Sequence, residues 1–134
     1  MKKYNGFRLK DTYEINTWFL KIMPEMLQVL KDNNQGYPSK FHKEYYESHK
    51  DELLGVDEFI FTYCESNNLS EELKLKQKEM EEYSKNKWNR ILDKMIYLFN
   101  EAKVDCITYM DEYKHKCKDE ALALFVEYFD DLWW

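Results

Sequence analysis

The stretch "KWNRILDKMIYLF" (Lys87–Phe99) decides the fold. Trp88, Ile91, Leu92, Met95 and Phe99 recur at intervals of three and four, which sets them on one face of an α-helix. Counting onward, Ala102, Cys106, Met110, Tyr113 and Cys117 keep the same stripe for about eight turns. The pattern predicts a spine helix over Ser84–Lys118. Neither Gly nor Pro occurs after Gly55, so the second half of the chain lacks the residues that punctuate tight turns. The expectation is an all-α fold: a single-domain bundle of four or five helices around one long central helix.

Working back toward the N-terminus, "DTYE" (Asp11–Glu14) has the spacing of a capping box, and Asp11 is expected to open a helix. Ile15, Trp18, Phe19, Ile22, Met23, Met26, Leu27 and Leu30 then follow a 3.6-residue period. Pro24 falls inside this run without changing its phase, which reads as a kink and not a stop. After "GYP" (Gly36–Pro38), Ser39 is expected to cap a second helix through about Leu54, with Phe41, Tyr45 and Leu53 inward. "VDEFIFTYCE" is short enough to be strand or helix, and a helical turn or two after Asp57 is the preferred reading. The charged run from Asn67 to Lys87 carries few apolar positions (Leu69, Leu73, Met80 and Tyr83) and reads as a solvated helix or arm capped by Ser70. At the other end, "EALALFVEYFDDLWW" (Glu120–Trp134) reads as a helix carrying Leu122, Leu124, Phe125, Tyr128, Phe129, Leu132 and Trp133, which either docks or places its rings in an interface with another chain; docking is expected for Trp133, with Trp134 left open.

Composition narrows the function classes. At 134 residues the chain can bury a core without disulfide staples. Cys64, Cys106 and Cys117 form no CxxC and read as free thiols. The net charge of −6 leaves no excess basic surface for phosphate neutralisation, so no nucleic-acid partner is expected. The N-terminus lacks an apolar run and no window nears a membrane span, so neither a signal peptide nor a membrane partner is expected. No P-loop, GxSxG, HExxH or EF-hand pattern occurs. His42 and His49 lie two turns apart, too far to share a metal, and no cofactor, metal or catalytic residue is assigned. Rings make up 17% of the chain. They serve either a core built from aromatics or a groove that uses them.

Four motifs resemble a group of small proteins encoded by tailed bacteriophages and their prophages. They are "TWFLKIMPEML" (Thr17–Leu27), "GYP" (Gly36–Pro38), "WNRILDKMIYLF" (Trp88–Phe99) and "EALALFVEYFDDLW" (Glu120–Trp133). Two departures stand out. Residues 39–87 read as an insertion relative to the group, and Ala121 replaces a usual Gly. The resemblance implies a phage accessory protein expressed in the cytoplasm of an infected bacterium, and it brings no catalytic residues.

The resulting expectation is a non-catalytic, homo-oligomeric viral protein that counters host defence. It would sequester a small nucleotide-type immune signal, acting as a sponge. The candidate ligand-binding residues are Lys31, Tyr37, Trp88, Arg90, Asp93 and Lys94. Tyr37, in a turn, and Trp88 would stack on a base; Lys31, Arg90 and Lys94 would meet phosphates; Asp93 flanks the same helix. The alternatives are a protein–protein inhibitor of a host defence protein or enzyme, and a structural or replication-accessory phage protein.

Overall fold

The computed structural model describes residues 5–34, 36–65, 68–104 and 111–133. Regular structure among them is entirely helical: α1 (Ile15–Asn33), α2 (Lys40–Ser48), α3 (Glu58–Tyr63), α4 (Glu71–Ala102) and α5 (Glu112–Glu127). Short 3-10 turns occupy Leu9–Thr12, Lys50–Glu52 and Phe129–Asp131. The protein is therefore all-α with one dominant helix. No helix among the described residues is long and apolar enough to cross a membrane. The chain divides into two compact units, Gln35–Arg90 and the pair of segments Met1–Asn34 with Ile91–Trp134. The segment 39–87, read above as an insertion, falls within the first of these.

The spine helix is displaced from its expected limits of Ser84–Lys118. It starts at Glu71, where the Ser70 hydroxyl accepts the Leu73 N–H at 3.3 Å and Glu71 and Glu72 favour the positive end of the helix dipole. It ends at Ala102. There Lys114 donates its ammonium to the carbonyls of Glu101 (3.3 Å) and Lys103 (2.7 Å), satisfying acceptors that the helix itself leaves open. Asp111 opens α5 by accepting the Lys114 N–H at 2.8 Å. Cys106 and Met110, counted in the stripe, lie outside the described residues.

The run Asn67–Lys87 is no solvated arm. Most of it forms the first half of α4, which buries Leu73, Gln77, Met80, Ser84 and Trp88 at helical spacing. Two polar residues fill positions that an apolar count leaves empty. Gln77 donates its amide to the carbonyls of Phe61 and Cys64, both at 3.0 Å, and Ser84 donates to Met80 within the helix at 2.8 Å. In this unit Tyr45, Tyr46, Leu53, Phe61, Leu73 and Met80 form the core, with Val56, Leu69 and Tyr83 packed against it. Its tyrosines keep polar ends satisfied: Tyr46 donates to the Val56 carbonyl at 2.8 Å and Tyr45 to Glu79 at 3.0 Å. Burial and that carboxylate hold the Tyr45 proton well above the usual phenol range. Lys87 pairs with Glu44 and lies 4.8 Å from the centre of the Phe41 ring. Leu54 and Gly55 both take positive φ (55° and 73°), the left-handed step that turns the chain from the α2 region toward α3.

In the other unit, α1 runs without a break through Pro24, which is buried along with Leu20, Leu27 and Leu30. Pro24 lacks the N–H that would have bonded the Leu20 carbonyl. Asp11 does not open α1. It accepts the Arg8 N–H at 2.8 Å and closes the 3-10 turn instead, so the helix begins at Ile15. Phe19, Phe99 and Phe125 meet edge to face, with ring centres 5.7–6.2 Å apart, and join α1, the end of α4 and α5. Ala121 is fully buried in an uninterrupted α5. Trp133, expected to dock, is 73% exposed. A period identifies which residues share a face, but it does not show that anything covers them. Trp134 lies outside the described residues.

Candidate functional site

Of the six residues singled out from the sequence, Trp88, Arg90, Asp93 and Lys94 lie on α4, Lys31 on α1 and Tyr37 ahead of α2. Tyr37, Trp88 and Arg90 belong to one unit; Lys31, Asp93 and Lys94 belong to the other. Lys31 is engaged in an ion pair with Asp93 (2.6 Å) that ties α1 to α4, so its charge already has a partner. Arg90 and Lys94 are exposed on α4. Trp88 is only 1% exposed and offers no free ring face for a base. Tyr37 is half-buried and packs edge-on against His42, ring centres 5.1 Å apart, with its hydroxyl 2.9 Å from His42 Nε2.

That last contact leads to a different site. α2 and α3 pack together and bound a groove of about 480 Å³, within the range of small-ligand sites. Lys40, His42 and Lys43 line it from α2, and Phe59, Thr62 and Tyr63 from α3, with Asp57 and Glu58 at the α3 entry. Local sequence explains this arrangement. The Asp57 carboxylate accepts the Phe59 and Ile60 N–H groups at 2.8 and 3.4 Å and so starts α3. On the resulting helix, Phe59, Thr62 and Tyr63 share one side while Phe61, opposite, is fully buried. Phe59 and Tyr63 are 69% and 64% exposed, their ring centres 5.0 Å apart. They present a wide aromatic lip.

Beneath the lip, His42 Nδ1 and Thr62 Oγ1 are both buried without a hydrogen-bond partner. Each such atom costs about 1–3 kcal/mol when left unsatisfied. Both side chains line the groove. Burial lowers the His42 pKa, against an opposing pull from Glu81, so the ring is neutral near pH 7. Burial, then Glu81, raises the Tyr37 pKa, so the phenol keeps its proton. A phenol donating to Nε2 leaves the N–H on Nδ1, an unused donor; the reverse tautomer leaves an unused acceptor. Tyr37 therefore positions the imidazole and does not itself line the site.

Sequence reasoning passed over His42, Thr62, Phe59 and Tyr63. The histidine was weighed only as a metal ligand. The "FIFTY" run held the signal once read as helix, because Phe59, Thr62 and Tyr63 then fall on a side that Phe61 cannot share. What the sequence could not show was that α2 would lie across it.

No family model matches the chain, nor does any curated protein or solved structure. The phage resemblance rests on the four quoted motifs.

Proposed function

We propose that this chain is a non-catalytic binding protein that sequesters a small nucleotide-type ligand in the α2–α3 groove. The observation that carries this reading is the pairing, in one concavity, of two buried unsatisfied polar atoms with an exposed aromatic lip. A nucleotide matches each part. Its base offers a planar face to Phe59 or Tyr63 and hydrogen-bonding edges to His42 and Thr62. Its phosphates suit Lys40 and Lys43, and its ribose hydroxyls suit the Asp57 and Glu58 carboxylates. Binding is favoured over turnover because the Thr62 hydroxyl, which lines the groove, has no base on it, while the hydroxyl that does meet His42, that of Tyr37, keeps its proton and does not line the groove. The resemblance of the four motifs to phage proteins implies the biological setting, in which such a protein would remove a nucleotide immune signal of the host.

Native mass spectrometry and calorimetry with cyclic nucleotides and ADP-ribose-type compounds test this reading. One of them should add a stoichiometric mass. Replacing both lip rings, Phe59→Ala with Tyr63→Ala, should then weaken binding by at least about tenfold, since a stacked base contributes roughly 1–3 kcal/mol per ring. Both rings are exposed, so the fold should survive. Absence of any nucleotide mass, or unchanged affinity in the double variant, sinks the proposal.

A further inference from the structure

A second concavity of about 870 Å³ lies wholly within the unit formed by residues 1–34 and 91–134. One wall is α1, through Ile22, Met23, Met26 and Val29; the other is the chain end, through Phe125, Phe129 and Trp133. Among its described lining residues only Glu25 is charged. Met26, Val29, Phe129 and Trp133 are each more than half exposed, so the groove holds a contiguous apolar surface in water, the kind that marks an interaction site.

The charges around it select the occupant. Glu25 sits in the groove, and Asp130 and Asp131 interrupt the lining run between Phe129 and Leu132. None of the three has a cationic partner among the described residues. The nearby cation Lys21 lines a separate concavity with Arg8 and Lys10. The groove is thus apolar apart from the acid Glu25, and two further acids stand on the turn that carries Phe129.

We infer that this groove receives a basic amphipathic helix of another protein, apolar residues inward and Lys or Arg toward Glu25, Asp130 and Asp131. A trough walled by helical elements takes helix anchors at i, i+3, i+4 and i+7, and the unbranched Met23 and Met26 side chains can adapt to them. A second copy of this chain fits poorly. Its net charge of −6 supplies no excess of cations, and a two-fold contact through this face would bring a second Glu25 into the same interface. This inference is independent of the α2–α3 groove, which lies in the other unit.

The probe is a fluorescein-labelled helical peptide of about 18 residues (five turns) with Leu and Trp on one face and Lys on the other. Its comparators keep the apolar face but carry Glu in place of Lys, or scramble the order. Fluorescence anisotropy with the full chain should show the Lys peptide binding at least roughly tenfold more tightly than either comparator. Met26→Gln with Val29→Gln changes no charge and alters two exposed positions, and should weaken it by about tenfold or more. Glu47→Gln with Asp51→Asn removes two exposed charges from the other unit and should leave affinity within about twofold. Three results would overturn the inference: equal binding of the Glu or scrambled peptide, indifference to the Met26/Val29 pair, or a dimer in sedimentation that the same pair abolishes.

Discussion

Gln77→Leu tests whether the polar stripe on α4 is what anchors α3. The Gln77 amide nitrogen donates to the carbonyls of Phe61 and Cys64, both at 3.0 Å, from a nearly buried side chain. These acceptors sit at the C-terminal end of α3, whose six residues are too few for self-sustaining helix. Leu has a similar volume but no donor. Two deprived carbonyls cost about 1–3 kcal/mol each. The Cys64 carbonyl is partly buried and recovers some of that from water, and the leucine gains about 1 kcal/mol of burial. The net loss should be about 2–4 kcal/mol, or roughly 30- to 700-fold in the local opening equilibrium. Amide hydrogen exchange in α3 of the intact protein reads this directly, with the α1 and α5 amides as internal controls. Gln77→Glu adds a pH signature. A carboxylate facing two carbonyls ionises with difficulty, so its folded pKa rises above about 4.3. Its stability is then greatest below that value and falls as pH climbs toward the folded pKa. If Gln77→Leu leaves α3 protection unchanged, the idea that Gln77 holds α3 in place is wrong.

Three further outcomes are expected. Stability should decline as pH drops below about 6.5, because the folded state lowers the His42 pKa and the unfolded chain takes up the proton more readily; thermal midpoints at neutral and mildly acidic pH should show this, and His42→Gln should flatten the slope. Asp93→Asn should cost no more than about 1 kcal/mol in urea unfolding, because the Lys31–Asp93 pair is partly exposed, and the difference should shrink in high salt. Ser84→Ala should be close to neutral, since the Met80 carbonyl that Ser84 contacts lies within the same helix, whereas Ser84→Leu should destabilise by about 1–3 kcal/mol by overpacking a site with no exposed surface.

The all-α class was legible because Trp88, Leu92, Met95 and Phe99 repeat a single period, and all four are buried at 1% exposure or less. The limits of that helix were not. Cys106 and Met110 continue the period past Ala102, and a period marks a shared face without requiring that one helix carry it. The better guide is Asp111, whose acceptor side chain opens α5 and which a count of the apolar stripe alone passes over. At the other end, Gln77 and Ser84 sit at core positions, and an apolar count discards them. Gln77 belongs there because of two carbonyls on a segment thirteen and sixteen residues away in sequence.

The candidate sites follow the same division. Lys31 stands near the end of the first helix and Asp93 beside the apolar stripe of α4, and such places favour a cross-helix ion pair as readily as a ligand contact. That is what the structure shows at 2.6 Å. A ligand site needs instead that polar atoms be left wanting while apolar surface is left exposed, a property of residual satisfaction that no single helix pattern records. At the α2–α3 groove it arises because Tyr37 takes one nitrogen of His42 and leaves the other without a partner. Asp57, by starting α3, sets Phe59 and Tyr63 on the exposed side. Each contribution is local and chemically ordinary. Their meeting depends on the left-handed step at Leu54–Gly55 and on Gln77 holding the end of α3. Loss of either should therefore loosen the groove before it unfolds the chain, and a ligand that fills the groove should protect the α3 amides.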